Sequence, residues 1–243
     1  LVLGKSFEEN VHGDRKSFTL KFIDWNKLEN NVFHITDEFT VDGLNTPRRP
    51  DLVLFINGIP FCAIENKRRD KNASIEESIS QFIRNQKKDE GIPKLFQFTQ
   101  LLLAVQPNEV KYATTNTPAK FWSYWKENTD VEPTVKSILK KTVDRLPGED
   151  RLPTEQDKML YCLCRPERVI ELANHFLLFD GGVKKVARYQ QYFAVKSAVN
   201  RVQNKDEEGK RKGGVIWHTQ GSGKSLTMVM LAKAIILNPN IPN

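Results

Sequence analysis

Cysteines, long apolar runs and low-complexity tracts are scarce or missing in this sequence, and each absence narrows the class of protein. Only three cysteines occur among the 243 residues, Cys62, Cys162 and Cys164, and such a sparse, odd set does not form a disulfide framework. We expect them to be buried in a reducing, cytoplasmic setting, because Cys162 and Cys164 lack the further ligands of a zinc site. No segment resembles a membrane span or a signal peptide. The chain begins without Met, which indicates a piece of a longer protein.

The balance of charge favours a polyanionic partner. Lys and Arg number 37 against 30 Asp and Glu, which gives a net charge of +7, and nucleic acid is a common partner of basic proteins. Hydrophobic residues at 39% and charged residues at 28% are typical of a folded globular chain.

Apolar periodicity predicts an α/β core in the first part of the chain. Asn57-Gly58 lies between two apolar runs and is a strong hairpin signal. Ser74 and Glu77 are spaced as a capping box at the start of a helix. The predicted segments are strands at 32–41, 51–56, 61–64 and 110–114, a helix at 74–88, and a strand or helix at 95–105.

A second part is predicted beyond a change in composition at residues 145–157, where prolines, glycine and charges indicate a boundary. We predict a domain at 1–146, a helical linker at 147–180, and the beginning of another domain at 181–243. The predicted segments of this part are helices at 166–179, 188–203 and 224–237 and a strand at 215–217.

A glycine-rich loop precedes the last helix. The stretch His218-Thr219-Gln220-Gly221-Ser222-Gly223-Lys224-Ser225 follows a predicted strand, as phosphate-binding loops do, although His218 stands where the strict pattern has glycine. The residues predicted to bind ATP here are Thr219, Gly221, Ser222, Gly223, Lys224 and Ser225. Lys224 would reach the β- and γ-phosphates and Ser225 would ligate Mg²⁺. The acidic residue that completes such a site normally lies on a later strand, so we expect no efficient ATP turnover by this chain alone.

Two carboxylates and a lysine lie on the predicted hairpin. Glu65 and Lys67 are two residues apart on one strand and therefore share a face, and Asp51 begins the other strand. Two carboxylates can hold Mg²⁺, which polarises a phosphodiester, and a lysine can position water or neutralise charge. An ordinary surface hairpin would also accommodate these residues, because Glu-x-Lys is common.

The register of the hairpin decides whether the carboxylates meet. A two-residue loop at Asn57-Gly58 would place Asp51 and Glu65 on opposite faces. An odd-length loop, such as 57–59, would place them directly opposite each other, with Cβ atoms about 5 Å apart. We predict the odd register. Its pairs would be Phe55 with Phe61, Val53 with Ala63, and Asp51 with Glu65.

Three stretches together resemble one known family. The run from Arg48-Arg49-Pro50-Asp51 to Glu65-Asn66-Lys67 resembles the nuclease core of the R (restriction) subunit of type I restriction–modification enzymes. Arg188-Tyr189-Gln190-Gln191 resembles the adenine-recognising stretch of that subunit, and 216–225 resembles its first motor motif, where His218 is usual. The resemblance covers nearly the whole chain, in the order and spacing of the family.

The resemblance implies a PD-(D/E)xK restriction-endonuclease-like core followed by the start of a RecA-like P-loop helicase domain that translocates double-stranded DNA with ATP. Asp51 and Glu65 would bind Mg²⁺, and Lys67 would be the catalytic lysine. Gln191 would read adenine, with Arg188 or Tyr189 flanking the ring. The implied partners are double-stranded DNA and separate methyltransferase (modification) and specificity subunits.

One departure from the family concerns the helix after the lysine. Nucleases of this lineage often carry Gln-x-x-x-Tyr there, and here Gln81 is followed by Asn85. Gln81 would still contact the site or the DNA backbone, while the role of the tyrosine is unfilled. Glu38 is either a further acidic group or an exposed strand residue.

Basic and aromatic clusters allow two interpretations. They could contact DNA phosphates and bases, or they could be solvated faces and packed core. The basic clusters are Lys67-Arg68-Arg69, Lys87-Lys88 and Lys140-Lys141, and the aromatic cluster is Phe121, Trp122, Tyr124 and Trp125. Packing is the favoured role for the aromatic residues.

Three functions follow from these patterns. The first is a DNA-cleaving and translocating restriction subunit. The second is a nucleic-acid-stimulated ATPase whose N-terminal domain only binds DNA or partner subunits. The third is an assembly module that docks a methyltransferase without any need for metal. Metal-dependent cleavage that is lost in Asp51→Ala separates the first from the second, whereas the third predicts complex formation without metal dependence.

Overall fold

A computed structural model describes residues 2–68, 74–143, 151–238 and 240–241. The strands are β1 (Lys5–Val11), β2 (Asp14–Leu20), β3 (Phe33–Asp37), β4 (Leu52–Ile56), β5 (Ile59–Asn66), β6 (Leu101–Gln106), β7 (Glu109–Ala113), β8 (Leu177–Asp180) and β9 (Val183–Val186). The helices are α1 (Ile75–Asn85), α2 (Pro93–Phe96), α3 (Glu132–Val143), α4 (Glu155–Cys164), α5 (Pro166–His175), α6 (Tyr189–Gln203) and α7 (Lys224–Ile236). The α/β class predicted from the sequence is confirmed in this general form.

A five-stranded mixed sheet in the order β3-β4-β5-β6-β7 forms the centre of the fold. Only β5 and β6 are parallel, because α1 and α2 lie between them along the chain and carry it back across the sheet. Side chains alternate between the two faces, so Ala63 and Leu102 point towards α1, whereas Ile64 and Leu103 point to the opposite face. Both faces are covered, and the central strands are therefore almost wholly apolar.

Helix α1 covers one face of the sheet through Ile75, Ile79 and Phe82. Ser74 occupies the predicted capping position in an extended conformation, but its side chain makes no capping hydrogen bond, so the predicted capping box is wrong. The helix ends at Asn85 rather than at residue 88, because the Asn85 carbonyl accepts a hydrogen bond from Ile92 N at 2.7 Å, which turns the chain back.

The second face of the sheet packs against α4, α5 and α6. One apolar cluster combines Leu103 and Tyr112 of the sheet with Leu163, Leu172 and Val195 of these helices. The Tyr112 hydroxyl also donates to the Ala187 carbonyl at 2.7 Å, just before α6. The helices beyond the predicted boundary therefore share a core with the sheet. Residues 144–150 of that boundary lie outside the described ranges, and the division into three parts stays a prediction.

A buried arginine joins the sheet side to α5 and α6. Arg168 is only 4% exposed, and its guanidinium bonds the Glu127 carboxylate at 2.7 and 3.3 Å. The Arg168 Cζ lies 4.9 Å from the centre of the Trp125 ring and 4.6 Å from that of Tyr192. Trp125 and Trp122 are buried, as the packing interpretation expects, whereas Phe121 and Tyr124 are exposed.

Two hairpins went unpredicted, although the sequence carries a signal for each. His12-Gly13 joins β1 to β2 and Gly181-Gly182 joins β8 to β9, and each turn has positive φ at both residues. This is the two-residue hairpin geometry in which glycine is favoured. Helix α5 consequently ends at His175, earlier than the predicted 179, because the chain enters β8.

The strand predicted at residues 215–217 is wrong. In the described part of the chain no neighbouring strand pairs with this segment, and Val215 and Trp217 are 91% and 90% exposed. A strand needs a partner for its backbone groups, which an apolar run alone does not provide. The ambiguous stretch 95–105 contains the end of α2 and most of β6.

None of the helices in the described ranges is both long and apolar enough to cross a membrane. Cys62 and Cys162 are buried and Cys164 is half-buried, all as free thiols. This agrees with the expectation that they act as small apolar residues.

We predict that Arg168→Ala destabilises the fold by about 3 to 5 kcal/mol, because it removes the guanidinium that forms the closest ion pair with the largely buried Glu127 carboxylate. The double variant Glu127→Ala/Arg168→Ala should lose less than the sum of the two single changes. Urea unfolding of all four proteins measures this coupling. Additive losses below about 1 kcal/mol each would mean that the pair behaves as a surface ion pair.

Candidate functional site

The β4–β5 hairpin positions the carboxylates by a device that the sequence did not reveal. Asn57 and Gly58 both have positive φ and form a two-residue turn, so the predicted odd-length loop is wrong. Next to the turn, Phe55 pairs with Pro60 rather than with Phe61, whereas Val53 pairs with Ala63 as predicted. The register shifts by one residue between Leu54 and Phe55. Phe61 is thus the extra residue of a β-bulge, which restores the odd register on the side of the active-site candidates.

Beyond the bulge, Asp51 and Glu65 come together on the face that α1 covers. Asp51 precedes β4, and its Oδ2 accepts a hydrogen bond from Asn66 N at 2.6 Å. Its backbone carbonyl accepts from Glu38 N at 2.9 Å. These two contacts hold the Asp51 carboxylate against the end of β5, close enough for its charge to act on Glu65.

Glu65 is fully buried, and within the described residues neither of its carboxylate oxygens has a hydrogen-bond partner. The pKa of this carboxyl is raised to about 8, first by burial and then by the negative charge of Asp51, while Lys67 and Arg84 oppose the shift. The protein itself therefore leaves a buried carboxyl uncompensated. A proton or a cation is needed to neutralise it at neutral pH.

Lys67 and Gln81 meet across the opening of this site. The Lys67 Nζ donates to Gln81 Oε1 at 2.9 Å, and the backbone N–H of Lys67 continues the strand by donating to Val105 O at 2.9 Å. Both side chains line a cleft of about 360 Å³. The other residues that line it are Ser74, Glu76, Glu77, Ser80 and Arg84 of α1 and its cap. The structure thus places Lys67 and Gln81 in this cleft, whereas Asp51 and Glu65 lie at the end of the hairpin, close enough to Lys67 for its charge to act on Glu65.

Glu38 and Asn85 lie away from the cleft. The Glu38 side chain is 74% exposed and pairs with Arg49 at 3.4 Å, so Glu38 touches Asp51 only through the backbone. Asn85 is 2% exposed and faces the interior, where its Oδ1 lacks a partner among the described residues. Of the predicted basic cluster at 67–69, Arg69 lies outside the described ranges.

The glycine-rich loop opens α7 as predicted. Gly221 and Gly223 have φ of 76° and 83°, in the left-handed region that favours glycine, and Gly223 is the capping residue of the helix. Lys224 and Ser225 form the exposed first turn. Ser222 Oγ bonds Thr219 O at 2.7 Å and lies 3.3 Å from His218 Nδ1, which gives the histidine at the non-glycine position a contact inside the loop.

Gln191 contacts this loop directly, which the sequence did not indicate. Its side chain is buried, and its Nε2 donates to Gly223 O at 3.2 Å and, more weakly, to Ser222 O at 3.4 Å. Its Oε1 accepts from the backbone N–H of Arg188 at 2.9 Å. A Cβ on Gly223 would lie 2.5 Å from Gln191 Nε2, so this glycine is also needed for the close approach. The predicted nucleotide-binding residues of α6 and of the loop are therefore neighbours.

Comparisons with known proteins identify the family of this chain. The model of the type I restriction enzyme R protein N terminus matches residues 1–121, and that of SWI2/SNF2 ATPases matches residues 190–243. The chain belongs to the family of type I restriction enzyme R subunits and corresponds to the N-terminal region of such a subunit.

Relatives that carry names come from archaea and bacteria. The chain is 31% identical over 243 residues to a Methanocaldococcus jannaschii protein provisionally assigned as the type I restriction enzyme MjaIXP endonuclease subunit, with 96% of this chain and 23% of that protein covered. It is 29% identical to the type I restriction enzyme HindI endonuclease subunit of Haemophilus influenzae, with 99% and 22% covered. The chain thus spans less than a quarter of the length of these relatives.

We predict that the stability of the metal-free protein falls as the pH rises from about 4.5 to about 8, and that Glu65→Gln removes this dependence. The folded state holds the Glu65 proton up to about pH 8, whereas the unfolded chain releases it near 4.5, so the unfolded state gains stability across that window. Urea unfolding with a chelator at several pH values measures the difference. Parallel profiles for the two proteins would contradict the raised pKa.

Proposed function

We propose that this chain supplies the DNA-cleaving site of a type I restriction enzyme, a PD-(D/E)xK-type nuclease core followed by the start of a RecA-like motor domain. The observation that carries the proposal is the unpartnered, buried carboxylate of Glu65 beside Asp51 and Lys67. A structural role does not explain it, because a buried carboxyl without a partner costs free energy. Its substrate would be a phosphodiester of double-stranded DNA.

The donor set fits Mg²⁺. Asp51 and Glu65 would hold the ion, and a bound Mg²⁺ would supply polarisation of the phosphodiester and a lowered pKa of water. Among the described residues no cluster of three or more His, Cys, Asp or Glu side chains surrounds such a site. Two carboxylates suffice for Mg²⁺, which keeps several waters in its coordination shell and commonly takes only one or two protein carboxylates.

The remaining cleft residues have separate tasks in this proposal. Lys67 would position the attacking water or neutralise charge on the phosphate, since its side chain lines the cleft. Gln81 holds that ammonium group at 2.9 Å and fixes the direction in which it points. The Asn66 N–H keeps the Asp51 carboxylate turned towards Glu65.

ATP would bind at the loop before α7. The backbone N–H groups of Thr219, Gly221, Ser222 and Gly223 would surround its phosphates, with Lys224 on the β- and γ-phosphates and Ser225 as a ligand of Mg²⁺. Gln191 and Arg188 would contact the adenine, and the position of Gln191 against the loop supports this. In the whole subunit, ATP hydrolysis would drive translocation along DNA, together with methyltransferase and specificity subunits as partners.

We predict that Mg²⁺ binding measured by calorimetry, without nucleotide, is weakened more than roughly tenfold by Asp51→Asn and by Glu65→Gln. Glu38→Gln is the matched control, because Glu38 is an exposed acid next to Asp51 whose side chain points away from the site. Lys67→Ala should retain the ion and lose cleavage of DNA by the assembled enzyme.

Equal heats in wild type, Asp51→Asn and Glu65→Gln would mean that the hairpin does not bind the metal. The N-terminal region would then serve only to bind DNA or partner subunits in a nucleic-acid-stimulated ATPase. The assembly role would remain if the chain formed a complex with a methyltransferase without needing metal and the whole subunit had no ATPase activity.

We predict that Gln191→Ala in the whole subunit reduces the preference for ATP over GTP by roughly tenfold, because the variant loses the amide that distinguishes the bases. Gln190→Ala is the matched control, since Gln190 is the exposed neighbour on the same helix. Competition between the two nucleotides for a fluorescent analogue measures the preference. An unchanged preference with weaker binding of both nucleotides would restrict Gln191 to supporting the loop.

A further inference from the structure

Arg84 lies on the face of α1 that borders the candidate nuclease site. Glu77, Gln81 and Arg84 succeed one another at helical spacing, and all three line the cleft with Lys67. Arg84 is thus one turn beyond the glutamine that holds the lysine. The three-residue spacing from Gln81 to Arg84 in the sequence already indicates that the two share a helix face, although Arg84 was not among the predicted site residues.

In the last turn of α1, Arg84 lines the cleft and the neighbouring Asn85 faces the interior. Asn85 is buried against the sheet side and anchors the following loop through its carbonyl to Ile92 N. Arg84 is exposed, and within the described ranges no carboxylate or carbonyl accepts a hydrogen bond from its guanidinium. By contrast, Arg49 and Arg151 at other exposed positions pair with Glu38 and Asp157.

The charges around the cleft leave Arg84 available to an anion. Glu76, one of the two acids that line the cleft, pairs with Lys111 at 3.0 Å. Glu77, the other acid, lies seven residues before Arg84, about 10 Å away along the helix axis. Arg84 and Lys67 line the same cleft, so the two cations face one opening.

We propose that Arg84 is a further substrate-contacting residue of the nuclease site, and that its guanidinium binds a phosphate of the DNA strand next to the one that is cleaved. The inference rests on the proposed nuclease function. A guanidinium presents its N–H groups in a planar fork that matches two phosphate oxygens, which the single ammonium group of Lys67 does not. Lys67 would act on the reacting phosphate while Arg84 fixes the strand.

The test measures the affinity of the whole subunit for a fluorescein-labelled DNA duplex by fluorescence anisotropy. A chelator is present throughout, so that no DNA is cut. Wild type, Arg84→Ala and Arg84→Lys are compared between about 50 and 200 mM KCl. Lys94→Ala is the matched control, because Lys94 is an exposed cation on the nearby α2 that does not line the cleft. Thermal melting checks that the exposed substitutions keep the fold.

Arg84→Ala should weaken binding by roughly tenfold and lower the slope of log K against log salt by about 0.9, the value for one lost phosphate contact. Arg84→Lys should keep the slope and recover part of the affinity, and Lys94→Ala should behave as wild type. Wild-type affinity and slope in Arg84→Ala, or an equal loss in Lys94→Ala, would overturn the inference.

Calorimetry with Mg²⁺ on the same variants separates this inference from the proposed function. Arg84→Ala should bind Mg²⁺ as wild type does, because the guanidinium does not ligate the ion. Metal binding at Asp51 and Glu65 with no DNA effect of Arg84→Ala would overturn the role of Arg84 alone. A DNA effect of Arg84→Ala in a protein that binds no Mg²⁺ would support the phosphate contact and count against the nuclease.

Discussion

The arrangement of the candidate site depends on a single extra residue in β5. Asn57-Gly58 forces a two-residue turn, and the register that this turn sets would put Asp51 and Glu65 on opposite faces of the sheet. The bulge at Phe61 shifts the register by one residue, and because side chains alternate along a strand, that shift turns Asp51 to the face of Glu65. The Phe61 side chain is fully buried with Ile23 and Val169, so packing far from the site holds the bulge in place.

Burial has opposite consequences for two acidic residues of the same fold. The Glu127 side chain lies beside Arg168, and two hydrogen bonds from Arg168 and one from Trp125 Nε1 compensate its charge, so this group joins the sheet to α5 and α6. Glu65 is buried more completely and receives no hydrogen bond from the described residues. The apolar sheet and α1 that stabilise the domain are also what raise the pKa of Glu65, since they exclude water from its carboxyl group.

Helix α6 connects the glycine-rich loop to the face of the sheet opposite the candidate nuclease site. Gln191 bonds the carbonyl groups of the glycine-rich loop, while Tyr192 packs on Arg168 and Trp125 beside the sheet. The Tyr112 hydroxyl bonds the chain just before this helix. Contacts of this one helix therefore join the loop to the sheet.

The sequence by itself determined which strands and helices carry the two candidate sites and which residue types the sites contain. Local periodicity was enough to predict β4, β5, α1, α6 and α7, and the spacing of Asp51, Glu65 and Lys67 was enough to suggest their chemistry. Only the tertiary structure decided the bulge at Phe61, the uncompensated burial of Glu65, the inward direction of Asn85 and the absence of a strand at 215–217. These features depend on contacts between residues distant along the chain, because register, burial and strand pairing are set by neighbours in space, which a local pattern does not contain.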